Sequence, residues 1–401
     1  MKKQAQVAES FDAKIVPFAP RTGAAMAGET LSAVAAYTNG REYGIASQEA
    51  FREMLSLERK RTERSGKPFL LMLLDVRSFA QLNGKAEAAY KKTLAGVAAA
   101  TRETDVKGWY QGGAFLGVVF TEVGGVDRKA LMATVRGKVE AALAVRLQPS
   151  LLGGVGISFH WFPEEIDTQG PRLRKDFTLY PDESKKSTRE KISLAIKRAM
   201  DICGSALALL LLAPVCALIA VGIRLTSKGP IFFRQQRIGQ HGLPFTFLKF
   251  RTMHVVNDHT IHKEYVARLI KGKVKAEEGS DSGIYKIQQD PRITPFGRLL
   301  RRTSLDELPQ FWNVLRGDMS LVGPRPPIPY ELENYDVWHR RRVLEVKPGI
   351  TGLWQVTGRS RTTFDDMVRL DLQYASSWTP WLDLKILLRT PKAVLSGNGA
   401  Y

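Results

Sequence analysis

Ile202–Ile223 reads ICGSALALLLLAPVCALIAVGI; it holds no charged residue, and its most polar member is Ser205. As a straight helix it would be roughly 33 Å long, about the thickness of a bilayer's hydrocarbon core. The core helix of a soluble domain rarely stays apolar on every face for that distance. The stretch therefore reads as a membrane segment, and the rest of the chain must fold around it. Pro214 lies near its middle, where it removes a backbone donor and is expected to kink the helix. Lys191, Lys197 and Arg198 precede the stretch, and Arg224 and Lys228 follow it. A spanning helix usually carries its positive bias on one side only. Charge at both ends, with a central proline, predicts a helix at 202–223 that dips in and returns to the same face.

At 401 residues the chain has room for two or three domains. Its 59 Lys+Arg against 40 Asp+Glu leave a formal charge of +19, which implies an anionic partner. Beside a membrane segment, anionic membrane lipids and phosphorylated substrates outrank nucleic acid, and no nucleic-acid partner is expected. The start, MKKQAQVAESFDAK, has no apolar run behind its lysines, so no signal peptide is expected. Cys203 and Cys216 both lie in the apolar stretch and read as small apolar residues rather than a disulfide. The expected location is the cytoplasmic side of a membrane.

Residues 1–46, rich in Ala and Gly without a sustained period, read as a disordered leader. From Ser47 the pattern becomes regular. Phe51, Met54 and Leu55 share a helical face, with Ser47 as cap and Gly66 as stop. Pro68–Val76 is a buried strand with Asp75 near its end. A helix follows to about Thr104, then the Gly112-Gly113 turn leads into a strand ending at Phe120. Asp127–Leu143 is helical, and Val155–Phe162 is a third strand. Such alternation predicts an α/β domain over 47–167. Residues 168–190 are polar and aperiodic and read as a linker. Lys191–Asp201 mixes Ile192, Leu194 and Ile196 with basic residues, as in a helix approaching an anionic surface.

The order LERKRTERSGKPF, LLDVRSF and QGGAF resembles the GGDEF domains of diguanylate cyclases. Members need acids for two metal ions at the strand end and the turn. Asp75 stands at the first position, but Gly113 and Ala114 occupy the turn's acidic positions. Cyclase chemistry is therefore excluded, and 47–167 reads as a degenerate GGDEF-like domain. Arg102-Glu103-Thr104-Asp105 matches the R-x-x-D spacing of the family's inhibitory cyclic di-GMP site. There Arg102 would fork onto phosphate and Asp105 receive the guanine edge; the plain alternative is an exposed pair near a helix end. The domain is also the expected seat of a homodimer contact.

The chemistry is concentrated after the apolar stretch. Ser227–Met253 reads as strands and turns interleaved with Arg234, Arg237, Lys249 and Arg251; Lys249 and Arg251 flank Phe250 at strand spacing, which suits a phosphate. His254, His259 and His262 show no metal-ligand pattern. Asp290–Pro326 is the densest stretch. Arg292, Arg298, Arg301 and Arg302 precede the acid pair Asp306-Glu307, which Ser304 is placed to cap as a helix start. An acid pair at a helix start commonly only compensates the dipole. Here clustered arginines and the stiff loops Gly323–Pro327 and Lys347–Arg359 favour a ligand site. Trp378–Leu395 reads either as core packing or as an interfacial helix.

KFRTM, DPRITPFGR, LRRTSLDELPQFWNVLRGDMSLVGPRP, KPGITGLWQVTGR and the terminal GAY occur in order. Together they resemble the monotopic phosphoglycosyl transferases, bacterial sugar transferases that load the first sugar onto polyprenyl phosphate, over about 189–401. The resemblance implies a mixed α/β catalytic domain over 191–401 with a re-entrant helix broken at Pro214. It also implies a sugar-1-phosphate transfer from a UDP-sugar, with UDP-galactose or UDP-glucose favoured. Asp306 would be the nucleophile, forming a covalent aspartyl-phosphosugar, and direct transfer with Asp306 as base is the alternative route. Glu307 and Asp306 would serve Mg²⁺, while Lys249, Arg251, Arg301 and Arg325 would bind phosphate or nucleotide. The setting implied is the cytoplasmic face of a bacterial inner membrane, with both termini cytosolic. In large relatives extra N-terminal membrane helices are usual; here the GGDEF-like domain is expected in their place. A membrane-tethered cyclic di-GMP-binding regulator with a non-catalytic transferase domain is the rival, and the intact acid pair weighs against it.

Overall fold

The structure is a computed structural model describing residues 43–82, 85–164, 175–181, 187–254, 267, 270, 292–357 and 363–395. It is mixed α/β with one long apolar helix. Among the described residues, one compact unit comprises 43–51 with Met72–Val118 and Asp127–Ser158. Another comprises Arg52–Leu71, Val119–Val126 and the chain from Phe159. This division does not coincide with the expected edges at 47 and 167.

A five-stranded sheet takes the order β1-β3-β4-β2-β5, from β1 (Ile45–Ala46), β2 (Phe69–Asp75), β3 (Val106–Gln111), β4 (Phe115–Phe120) and β5 (Gly156–Phe162). The run FLLMLLD forms β2 because an uninterrupted apolar strand can be covered on both faces; only Asp75 escapes burial. The accompanying helices are α1 (Gln48–Ser65), α2 (Ala86–Ala100), α3 (Arg128–Ala144) and the short α4 (Pro149–Leu152). The Ser47 hydroxyl accepts from the Ala50 N–H at the start of α1, and Gly66, at φ 71°, ends it. In the first unit Phe51 is fully buried. A Cβ on Gly108 or Gly117 would stand 2.7 or 2.5 Å from Phe51, so both glycines make room for the ring.

Two expectations need correction here. Ile45–Ala46, assigned to the leader, pairs in parallel with β3. β3 itself, VKGWYQ, was concealed by its mixed polarity, and the Gly112-Gly113 turn joins it to β4. Part of the 168–190 linker is also ordered. Phe177–Leu179 forms a 3₁₀ turn with Leu179 fully buried. The Arg59 guanidinium and the Lys175 ammonium lie 4.4 and 4.2 Å from the Tyr180 ring.

The second unit holds the long helix α5 (Thr188–Thr226), which starts on a capping box between Ser187 and Glu190. It continues as one helix through Pro214, without the break expected there. Strands β6 (Phe232–Ile238) and β7 (Pro244–Phe250) pair antiparallel, with Phe233 opposite Lys249. Helices α6 (Pro295–Arg302) and α7 (Gln310–Arg316) follow. Strands β8 (Ser320–Val322) and β9 (Gly349–Thr351) then pair in parallel. The remaining helices are α8 (Pro329–Leu332), α9 (Val337–Glu345), α10 (Leu353–Thr357), α11 (Phe364–Ser377) and α12 (Pro380–Leu395). Gly323 and Gly349 let the two Pro/Gly loops touch backbone to backbone. A Cβ on Gly323 would lie 2.2 Å from the Lys347 carbonyl, and one on Gly349 2.1 Å from the Gly323 nitrogen.

Two of the three basic residues before the apolar stretch, Lys197 and Arg198, are engaged by protein groups. Lys197 donates to Asp383 at 2.6 Å and to the Val322 carbonyl at 3.0 Å. Arg198 caps α7 by donating to the carbonyls of Val314 and Leu315, both at 2.8 Å. Asp201, 3% exposed, accepts from the Ser320 hydroxyl and the Leu321 N–H, both at 2.9 Å. Near its other end, Ile219 and Ile223 are buried with Phe250 and Leu300. The opposite face stays apolar and open, with Leu210 and Leu218 74% and 73% exposed.

Asp201→Ala should therefore lower stability by about 1–3 kcal/mol, because two buried donors lose their acceptor. Denaturant unfolding followed by tryptophan fluorescence would read this, and an unchanged midpoint would contradict the anchoring role. The two tryptophans here part ways: Trp378, just before α12, donates to Asp383 at 3.1 Å and packs against a core cluster, whereas Trp381, on α12, is 61% exposed.

Candidate active site

Asp306 owes its position to a failed helix. In α6 the Thr294 hydroxyl accepts from the Gly297 N–H, and a Cβ on Gly297 would lie 2.1 Å from the Thr252 carbonyl, so the helix sits hard against the end of β7. Ser304 then takes φ 57°, ψ 17° in the left-handed region. That backbone costs a non-glycine residue about 1–2 kcal/mol and stops the helix. The expected cap is thus corrected: Ser304 makes no side-chain cap bond, and the acid pair lies on a 3₁₀ turn, Leu305–Glu307. The turn aims Asp306 inward, to 6% exposure, while the Glu307 side chain keeps 28%.

Lys249, near the end of β7 away from the hairpin turn, reaches both acids. Its ammonium is 2.6 Å from Glu307 and 3.7 Å from Asp306. The Arg301 Nε donates to the Thr252 hydroxyl at 3.0 Å, which fixes the guanidinium beside the pair. All four residues, with Arg325, line one cavity of about 1180 Å³. A cavity that size exceeds the usual small-ligand range of about 300–1,000 Å³.

Arg251 also touches this cavity, yet its guanidinium is committed elsewhere. It donates to the Ser227 carbonyl and hydroxyl at 2.8 and 2.7 Å and to the Lys228 carbonyl at 2.8 Å. Arg251 therefore ties the end of α5 to the residues that follow β7 while still lining the cavity. Phe250 separates it from Lys249 in sequence, and the two cations engage different partners.

A further group of residues at the cavity was not foreseen from sequence. Arg237, held by the Pro326 carbonyl at 2.6 Å and by Gln235 at 3.0 Å, is buried, and burial together with Arg325 pushes its pKa down to about 10. Arg342 pairs with Asp371 at 2.7 Å, both at most 2% exposed, and donates to the Arg325 carbonyl at 3.1 Å. Burial lifts Asp371 to about 6 against the pull of Arg342. Glu331 completes this group.

The triplet Arg340-Arg341-Arg342 explains the omission. Consecutive helical residues diverge, so Arg340 donates to the Glu164 carbonyl, Arg341 pairs with Glu63 and Glu345, and only Arg342 enters the cavity. A helical projection would have separated the three, but not said which faced a ligand.

In the first unit Asp105 is 7% exposed and accepts from the Arg102 N–H at 2.7 Å, so it closes its own turn while Arg102 stays exposed. Asp75 is engaged by Arg77 at 2.6 Å. His259, His262, Asp290, Arg359 and the terminal GAY lie outside the described residues.

The family model described as bacterial sugar transferase matches residues 192–397. Galactosyl transferase CpsE of Streptococcus agalactiae is 46% identical over 208 residues, 52% of this chain and 44% of that protein. Undecaprenyl-phosphate galactose phosphotransferase of Salmonella typhimurium is 44% identical over 215 residues, 53% of this chain and 43% of that protein. The chain thus spans less than half the length of these two relatives. Exopolysaccharide production protein ExoY of Rhizobium meliloti is 38% identical over 209 residues, 51% of this chain but 88% of that protein. A solved structure of diguanylate cyclase SiaD with its activator SiaC from Pseudomonas aeruginosa aligns over 40% of this chain and 63% of that chain. At a TM-score of 0.25 and 21% identity, that likeness carries no argument.

Proposed function

The chain belongs to the bacterial sugar transferase family, and on that premise we propose that it transfers a sugar-1-phosphate from a UDP-sugar to polyprenyl phosphate. UMP leaves, and polyprenyl-diphosphate-sugar forms as the first membrane step of a surface polysaccharide. The observation that carries this reading is the Asp306-Glu307 pair, bridged by Lys249 in a cavity walled by Arg301 and Arg325. Relatives named for galactose transfer favour UDP-galactose, with UDP-glucose next.

In the first half-reaction an Asp306 oxygen bonds to the β-phosphorus, and the bridging oxygen leaves with its electron pair as UMP. In the second, an oxygen of polyprenyl phosphate bonds to the same phosphorus, and Asp306 departs as carboxylate. Lys249 places its positive charge where phosphoryl oxygens gather negative charge, and Arg301 and Arg325 hold the diphosphate.

The donor set suits Mg²⁺, which commonly binds through one or two carboxylates plus substrate phosphates. Asp306 and Glu307 are two hard oxygen donors, and no cluster of three or more His, Cys, Asp or Glu side chains forms among the described residues. When bound there, Mg²⁺ would offset the repulsion between carboxylates and diphosphate.

A monotopic placement at the cytoplasmic face of a bacterial inner membrane, with both termini cytosolic, accords with the contacts of α5. Lys197–Ser205 and Ile219–Ser227 are both tied to the same polar body. The intervening stretch, about 20 Å as a helix, is too short for a bilayer core of about 30 Å. Pro214 does not break α5, but the carbonyl it leaves without an intrahelical donor would disfavour a span across the bilayer core. Pro214→Leu should then let part of the population span, and a cysteine placed in the N-terminal domain should become labelled from outside. Labelling confined to the cytosolic side in that variant would contradict the role given to Pro214.

Purified chain, UDP-galactose or UDP-glucose, polyprenyl phosphate and Mg²⁺ should release UMP in step with lipid-linked sugar. No UMP from any UDP-sugar would overturn the assignment.

A further inference from the structure

Three carboxylates line the cavity among the described residues: Asp306, Glu307 and Glu331. The first two share Lys249. Glu331 is on α8, and no salt bridge within 4 Å engages it among the described residues. The Glu331 backbone N–H donates to the Ile328 carbonyl at 2.9 Å, which fixes the residue at the start of that short helix. Burial raises its pKa, while Arg237, Arg325 and Arg342, at electrostatic range, oppose that rise and favour the charged form. A carboxylate has about four acceptor sites, so most of its capacity faces the cavity.

Its surroundings select the ligand chemistry. Three arginines repel a cation, so this group does not duplicate the acid pair as a metal site. A phosphate would settle on the arginines and be repelled by Glu331. What remains is a neutral donor group adjoining a phosphate, and paired hydroxyls offer two donors with the geometry to bridge both oxygens of a carboxylate.

On the reading that the donor is a UDP-sugar, we propose that Glu331 accepts hydrogen bonds from a vicinal diol of that donor and so determines its specificity. Ribose and hexose both carry such a diol, and each follows a phosphate that Arg325 and Arg237 are placed to hold.

The test compares full-length wild type, Glu331→Gln and Glu331→Ala in UMP release with polyprenyl phosphate. The donors are the parent UDP-hexose, its 2′-deoxyuridine analogue and an analogue lacking one hexose hydroxyl. Wild type should discriminate against one analogue in kcat/KM by about 10-fold or more, since a site built for a hydroxyl rejects its absence. Both variants should lose that discrimination, mainly through KM for the parent donor. Which analogue is affected identifies the source of the diol. Because each value is a ratio within one preparation, a partly misfolded variant does not alter it. Discrimination kept in full by both variants would overturn the proposal while leaving the transferase reading intact. Absence of UMP release by wild type would overturn both.

Discussion

Asp306→Asn should lower UMP release by roughly 10⁴-fold or more, the loss typical of removing a covalent nucleophile. Asn has the same shape, so the 3₁₀ turn and the Lys249–Glu307 contact at 2.6 Å have no reason to move. What disappears is the charge and the nucleophilic oxygen, because an amide oxygen forms no stable phosphoryl adduct. Glu307→Gln, which removes an orienting carboxylate and leaves the nucleophile, should lose less. Coupled detection of UMP under saturating donor checks the order of the two losses. If Asp306→Asn kept activity within about 10-fold of wild type, the nucleophile would lie elsewhere.

Arg342→Met should be the most damaging single change to stability, by about 3–5 kcal/mol, because it strands a buried carboxylate. Asp371 is 1% exposed, and Arg342 is its ion-pair partner at 2.7 Å. The sign of the pH response follows from Asp371. Its folded pKa, about 6 with Arg342 present, is already above the usual carboxylate value, and without Arg342 it rises further. The folded variant then binds more protons than the unfolded chain from the usual value of 3.8 upward, so its stability increases as pH falls through that window. The loss should be full at pH 8 and partly recovered at pH 5. Arg342→Met with Asp371→Leu should regain most of the stability, since an apolar pair removes the stranded charge. Thermal unfolding at both pH values distinguishes these outcomes, and a single variant as stable as wild type would remove Arg342 from the core of the account.

Much of this site was legible in the chain. An uncharged apolar run leaves few folding options, and Asp306-Glu307 between arginines and glycine-proline loops announced phosphate chemistry. Lys249 and the acids indeed converge, and Gly323 and Gly349 do bring two loops into backbone contact. The misreadings share a cause. Composition shows that Lys197, Arg198 and Arg251 are basic; it does not show that Asp383, the α7 carbonyls and Ser227 will close around them. Partners far along the chain decide whether a cation faces lipid, ligand or backbone. Ser304 misled for a local reason, because its left-handed backbone replaces a helix start with a tight turn. Glu331 and Arg342 carry no sequence signal until the loop holding Arg325 folds back beside them.

The central claim is phosphosugar transfer through Asp306, and intact mass tests it most directly. Purified chain is incubated with each UDP-sugar and Mg²⁺, without polyprenyl phosphate, and weighed. A gain of one sugar phosphate with a particular donor, absent in Asp306→Asn, is the predicted result and names the sugar at once. No gain with any donor, together with UMP release once polyprenyl phosphate is supplied, would contradict the covalent route and place Asp306 as a base in direct transfer. No gain and no UMP under either condition would contradict the transfer itself.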